Sequence, residues 1–121
     1  MFRFEKLDVW HRAITIADHV YATTRSFPSD ERFGLTNQMR RAAVSISANI
    51  AEGSGRVLDS DFARFLEFSY SSAMEVVSEA TIAKRQSFLP KNSFDVIYGE
   101  IDEIARMLSS LRGTLLHGKG A

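Results

Sequence analysis

The sequence predicts an all-α fold, an antiparallel up-and-down four-helix bundle. Three observations predict it. Apolar residues recur at helical spacing in four long segments. The breaks between them are short, as antiparallel neighbours require. No stretch alternates polar and apolar residues as a half-buried strand would. The chain of 121 residues fits a single domain, 1–121, within the usual range of about 100–200 residues.

The first helix is predicted over about 6–26. Leu7, Trp10, Ile14, Ala17 and Tyr21 form one stripe, and Val9, Ala13, Ile16 and Val20 form a second beside it. Phe27-Pro28 ends the helix, because the residue before proline is pushed out of the α region. The second helix, about 33–52, follows Ser29 as N-cap, with Asp30 and Glu31 at the positive end of the dipole. Gly34 in its first turn delays the regular part, and Gly53 is expected as a left-handed C-cap. The third helix, about 60–87, is capped by Asp59 or Ser60 and carries Phe62, Phe65, Leu66, Ala73, Val76 and Ala80 on one face. The fourth, about 93–116, is capped by Asn92 or Ser93. Its stripe is Phe94, Ile97, Ile101, Ile104, Leu108, Leu111 and Leu115. The tail from His117 to Ala121 has no apolar anchor and is expected to fray.

Composition narrows the functional classes. The absence of cysteine removes disulfides, thiolate metal sites and cysteine nucleophiles, and fits a reducing compartment, the cytoplasm. Fifteen bases balance fifteen acids, so no general polyanion affinity is implied. No apolar run is long enough to span a membrane. His11 and His19 lie about 12 Å apart along a helix, too far to share one metal. There is no HExxH, no Glu-x-x-His and no nucleophile elbow. The expectation is therefore no catalytic residue, no metal and no cofactor. The leading reading is a non-enzymatic cytosolic scaffold or adaptor, and the alternative is a small-ligand-binding or enzymatic bundle with a site between helices or at the ring axis.

Three sets of residues are candidates for interaction. The second stripe of helix 1 (Val9, Ala13, Ile16, Val20), with Phe68 of helix 3, is expected as a homo-oligomer interface, because a monomer core has no obvious place for it. Gln38, Arg41, Ser45, Asn49 and Glu52 form a polar stripe on helix 2, expected as a buried hydrogen-bonded seam, with a ligand or RNA site as the alternative. From Arg32 to Leu58 four arginines face one acid, a local net of +3. Arg40, Arg56 and Arg64 are assigned to a polyanion-facing patch, since arginine suits bidentate phosphate contacts.

The stretch LDVWHRAITIADHVYATTRSFPSDERFGLTNQMRRAAVSISANIAEGSGR resembles the signature of the bacterial four-helix-bundle family described as 23S rRNA intervening-sequence proteins. Leu7, Val9, Trp10, Tyr21, Thr24, Phe27, Pro28, Glu31, Gly34 and Leu35 carry its first part. Gln38, Arg40, Arg41 and Ala42, then Ser45, Ile46, Asn49, Ile50, Ala51, Glu52 and Gly53, carry the middle. Phe62, Arg64, Phe65, Leu66, Ser72 and Glu75 continue it. Ser47 stands where many members have proline, so helix 2 need not kink here. Ser71-Ser72 stands where a Gly-Ser pair is common. The resemblance implies a bundle that closes into a ring, a pentamer being the favoured form, and little about activity; RNA or a nucleic-acid-associated protein is the partner that the arginine patch suggests. A related bundle is an accessory protein of diversity-generating retroelements that contacts reverse transcriptase and nucleic acid, but fold alone does not transfer that role.

Overall fold

The computed structural model describes residues 1–118, so the expected fraying of the tail beyond Gly118 lies outside the described residues. A 3-10 turn, Arg3–Lys6, leads into α1, Asp8–Thr24. A second turn, Ser29–Glu31, precedes α2, Leu35–Ser54. Then come α3, Asp59–Arg85, and α4, Lys91–His117. Each helix packs on its chain neighbours, and α1 closes on α4. This is the four-helix bundle the spacing predicts, with helix ends within two or three residues of expectation.

The ends are held differently from the sequence expectation. No Ser, Asp or Asn side chain caps a helix start. Leu58 and Pro90 precede α3 and α4 in extended conformations. At α2 the cap comes from upstream, where the Glu31 carboxylate accepts the Leu35 N–H at 3.2 Å. Gly53 is not a C-cap. Helix α2 runs through it to Ser54, and Gly55 caps the end with φ −87°. Gly53 is needed because α3 comes too close for a side chain. A Cβ there would sit 2.7 Å from Phe65 Cβ and 2.9 Å from Phe62 Cδ1.

The left-handed position lies at the other end, at Ser87, with φ 65°. The Phe88 N–H reaches back to the Ala83 carbonyl at 2.9 Å and the Ser87 N–H to Lys84 at 3.0 Å. These two bonds define a Schellman closure with serine where glycine is usual.

The core corrects the reading of α1. Val9, Ala13, Ile16 and Val20 are buried inside the subunit, at 4% exposure or less. They pack with Met39, Ile46, Phe62, Leu66, Ile101 and Ile104. They are therefore the core stripe and not an interface between copies. The other stripe is the one left half in water, with Ile14 37% and Tyr21 39% exposed. Both stripes have the same period, and only packing decides which faces in.

Candidate functional site

The three arginines assigned to a polyanion patch do not form one. Arg40 and Arg56 sit near opposite ends of α2, about 24 Å apart along the axis. Arg40 does not point outward. It is half-buried, its Nε donates to Thr24 Oγ1 at 2.9 Å, and its guanidinium lies 4.7 Å over the Tyr21 ring. It ties α2 to α1. Arg56 is exposed and rests 4.6 Å over Phe65. Arg64 is exposed on the next helix, with no ion pair among the described residues.

The polar stripe on α2 is half a seam. Ser45 and Asn49 are half-buried, whereas Gln38, Arg41 and Glu52 are exposed. Ser72 Oγ donates to Ser45 Oγ at 2.9 Å, and Asn49 Nδ2 donates to the Ser45 carbonyl at 2.9 Å. Ser69 Oγ also donates across the interface, to the Ile46 carbonyl at 2.8 Å. These short side chains let α2 and α3 approach closely. Above them the helices part into a groove of about 410 Å³, with Gln38 and Arg41 on one wall and Glu75 and Glu79 on the other. Glu79 lies off the apolar stripe of α3. Its Oε1 is nevertheless buried and finds no hydrogen-bond partner among the described residues. Burial first, and the neighbouring Glu75 carboxylate second, hold its carboxyl above the ordinary range. The only sequence signal was a pair of glutamates one turn apart, a common pattern on solvated faces.

Polar side chains bridge the α1–α4 flank. Arg12 forms an ion pair with Glu103 at 2.6 Å, and His19 Nδ1 meets Glu100 at 2.5 Å. Exposed apolar side chains stand on several flanks. Ile14, Tyr21 and Val44 line the α1–α2 side, with Val44 43% exposed one turn from Arg40. Phe68, 47% exposed, stands on α3 one turn before Ser72 and packs edge-on against Phe65. Of the expected interface residues, Phe68 alone lies at the surface.

A second cleft, of about 380 Å³, lies where the α1–α2 loop meets the end of α3. Glu31, Gly34 and Gln38 face Ile82, Gln86 and Phe88 across it. Among the described residues no cluster of three His, Asp or Glu side chains is placed to hold a metal. No helix among them is long and apolar enough to cross a membrane.

A family model described as 23S rRNA-intervening sequence protein matches residues 5–110. No curated protein matches. Among solved structures, a protein of unknown function from the S23 ribosomal protein family of Bacteroides thetaiotaomicron VPI-5482 superposes with a TM-score of 0.77 at 21% identity. The match covers 86% of this chain and 97% of that one. At that identity the likeness concerns the fold.

Proposed function

The chain belongs to the 23S rRNA-intervening sequence protein family, and from that premise we propose a non-enzymatic, cytoplasmic adaptor that assembles into a cyclic homo-oligomer and associates with nucleic acid. One observation carries the assembly. Apolar side chains stand exposed on two different flanks, Ile14, Tyr21 and Val44 on one and Phe68 on another. A ring of more than two subunits needs two unlike patches, because each subunit meets its neighbours through different surfaces. The pentamer implied by the family resemblance would satisfy that requirement. A ring also repeats any basic surface once per subunit, so weak contacts with a nucleic-acid strand add by multivalency.

Sedimentation equilibrium tests the assembly. Wild type should give several times the 13.6 kDa subunit mass. Val44→Glu and Phe68→Glu should each lower that mass while keeping helicity, since both positions are exposed in the subunit. A single-subunit mass at micromolar concentration overturns the ring.

The small-ligand reading is favoured by one observation only, the unpartnered Glu79 oxygen in the α2–α3 groove. An NMR titration with arginine methyl ester, a soluble cation, tests it. Shifts confined to α2 and α3 that disappear in Glu79→Gln would favour a ligand site over the adaptor.

A further inference from the structure

The bundle has two chemically different ends. One gathers the chain start, the α2–α3 loop and the end of α4. The other gathers the α1–α2 and α3–α4 loops. Residues 25–34 and 84–95, which make the second end, hold five Lys and Arg against three Asp and Glu. The opposite end, residues 1–8, 52–64 and 112–118, holds five against five. At the basic end Asp95 is paired with Lys91 at 2.8 Å. Asp30 and Glu31 are the acids left to offset Arg25, Arg32, Lys84 and Arg85, and the Glu31 carboxylate also accepts the Leu35 N–H. Those four bases are exposed and form no ion pair among the described residues.

The two loops at this end are held as one surface. Phe27 and Phe88 pack across them with ring centroids 5.9 Å apart and planes tilted by 50°, and both are mostly withdrawn from water. The cleft of about 380 Å³ opens between them, near the lower limit of volumes that take small ring compounds. Arg32 and Phe33 lie in the chain between Glu31 and Gly34 of its lining, and Arg85 directly precedes Gln86. Phe33 is 86% exposed, and the Arg32 guanidinium lies 5.3 Å over its ring. A large aromatic side chain this exposed contributes little to the core. Paired with arginine beside a cleft, it has the makings of a stacking platform. Gln38 and Gln86 supply amide donors and acceptors within the cleft, and Ile82, 49% exposed, gives it an apolar wall.

We infer that this end of the bundle docks single-stranded nucleic acid, with a base stacked on Phe33 at the mouth of the cleft and Arg25, Arg32 and Arg85 on the flanking phosphates. The inference rests on the nucleic-acid reading above and moves its contact surface away from Arg56 and Arg64. A duplex fits less well, because its bases are already stacked and cannot use an exposed ring. Contacts to phosphate and to a base face give little sequence preference and a strong dependence on salt.

The test is fluorescence anisotropy with a short labelled single-stranded RNA at two salt concentrations, with a heparin fragment as competitor. Wild type should bind at low salt and lose affinity as salt rises. Phe33→Ala should weaken binding about tenfold and leave the melting temperature unchanged. The triple variant Arg25→Gln, Arg32→Gln, Arg85→Gln should weaken it further and make the log–log salt slope shallower by about 2, roughly 0.7 per phosphate contact. Arg56→Gln with Arg64→Gln should bind as wild type. If wild type binds but Phe33→Ala and the triple variant match it, this site is wrong and the nucleic-acid reading survives. If wild type does not bind RNA at all, that reading falls with it. If heparin displaces RNA fully and Phe33→Ala has no effect, the end is a plain polyanion patch and the stacking site is overturned.

Discussion

At Ser87 the chain adopts a left-handed conformation that costs a residue with a Cβ about 1 kcal/mol or more. The Schellman closure of α3 requires it, so Ser87→Gly should raise stability by about 1 kcal/mol, seen as a higher urea midpoint with an unchanged slope. Gly53 is the converse. Alanine is normally the better helix former, but here its methyl would press on Phe62 and Phe65. Gly53→Ala should destabilise by about 1–3 kcal/mol, and a raised melting temperature would show that the helices can part at no cost. The two neighbouring arginines separate as well. Arg40→Ala removes the Thr24 bond and the Tyr21 contact and should cost about 1 kcal/mol. Arg41→Ala should stay within about 0.5 kcal/mol of wild type, the reverse of what the helical wheel suggested. Glu79 gives a pH signature. Its carboxyl holds a proton over a range in which the unfolded chain has already released one, so stability falls as pH rises through that range. Glu79→Gln should match wild type in acid and exceed it at neutral pH. Denaturant midpoints across the acid-to-neutral range would show a gap that opens with pH, and a constant gap would refute the assignment.

At the scale of elements, the helices were legible and their rotations were not all so. In α4 one face is apolar and the other charged, and Ile97, Ile101, Ile104 and Leu108 are buried as their spacing required. In α1 both stripes are apolar, and sequence alone cannot say which the bundle will take. Val9, Ala13, Ile16 and Val20 won because they are compact and mostly β-branched or small, and fit between close-packed neighbours. The stripe containing Trp10 and Tyr21 is bulkier and takes the boundary, where Arg40 can lie on the tyrosine ring. The consequence is direct. Ile16→Glu should unfold the subunit, because it buries a charge without a partner. Ile14→Glu should leave the fold intact and lower the assembly mass. Circular dichroism beside sedimentation separates the two outcomes. The candidate site was less legible than the fold. Charge counted along the chain favoured α2, but the unpaired bases collect where two loops distant in sequence meet. Phe27 and Phe88, which join those loops, are sixty-one positions apart. Phe33 gave no signal either, since one aromatic beside a glycine belongs to no periodic stripe.

For the whole molecule, the up-and-down order has an electrical consequence. Each end of the bundle contains two helix starts and two helix finishes, so the four macrodipoles oppose one another in pairs and nearly cancel. What polarity remains comes from side chains, and it is concentrated at the loop end that carries Arg25, Arg32, Lys84 and Arg85. The protein has a formal net charge of zero and an isoelectric point of about 6.8. A separation governed by net charge alone would let it pass unretained at that pH. A surface of fixed sulfonate groups senses the nearest charges, within a screening distance of about 10 Å at moderate salt. The protein should therefore be retained on a cation exchanger at its own isoelectric point, standing on its basic end, while an anion exchanger lets it through. Replacing Arg25, Arg32 and Arg85 by glutamine should abolish the retention. The same loss of charge placed at Arg3, Arg56 and Arg64 should leave it intact.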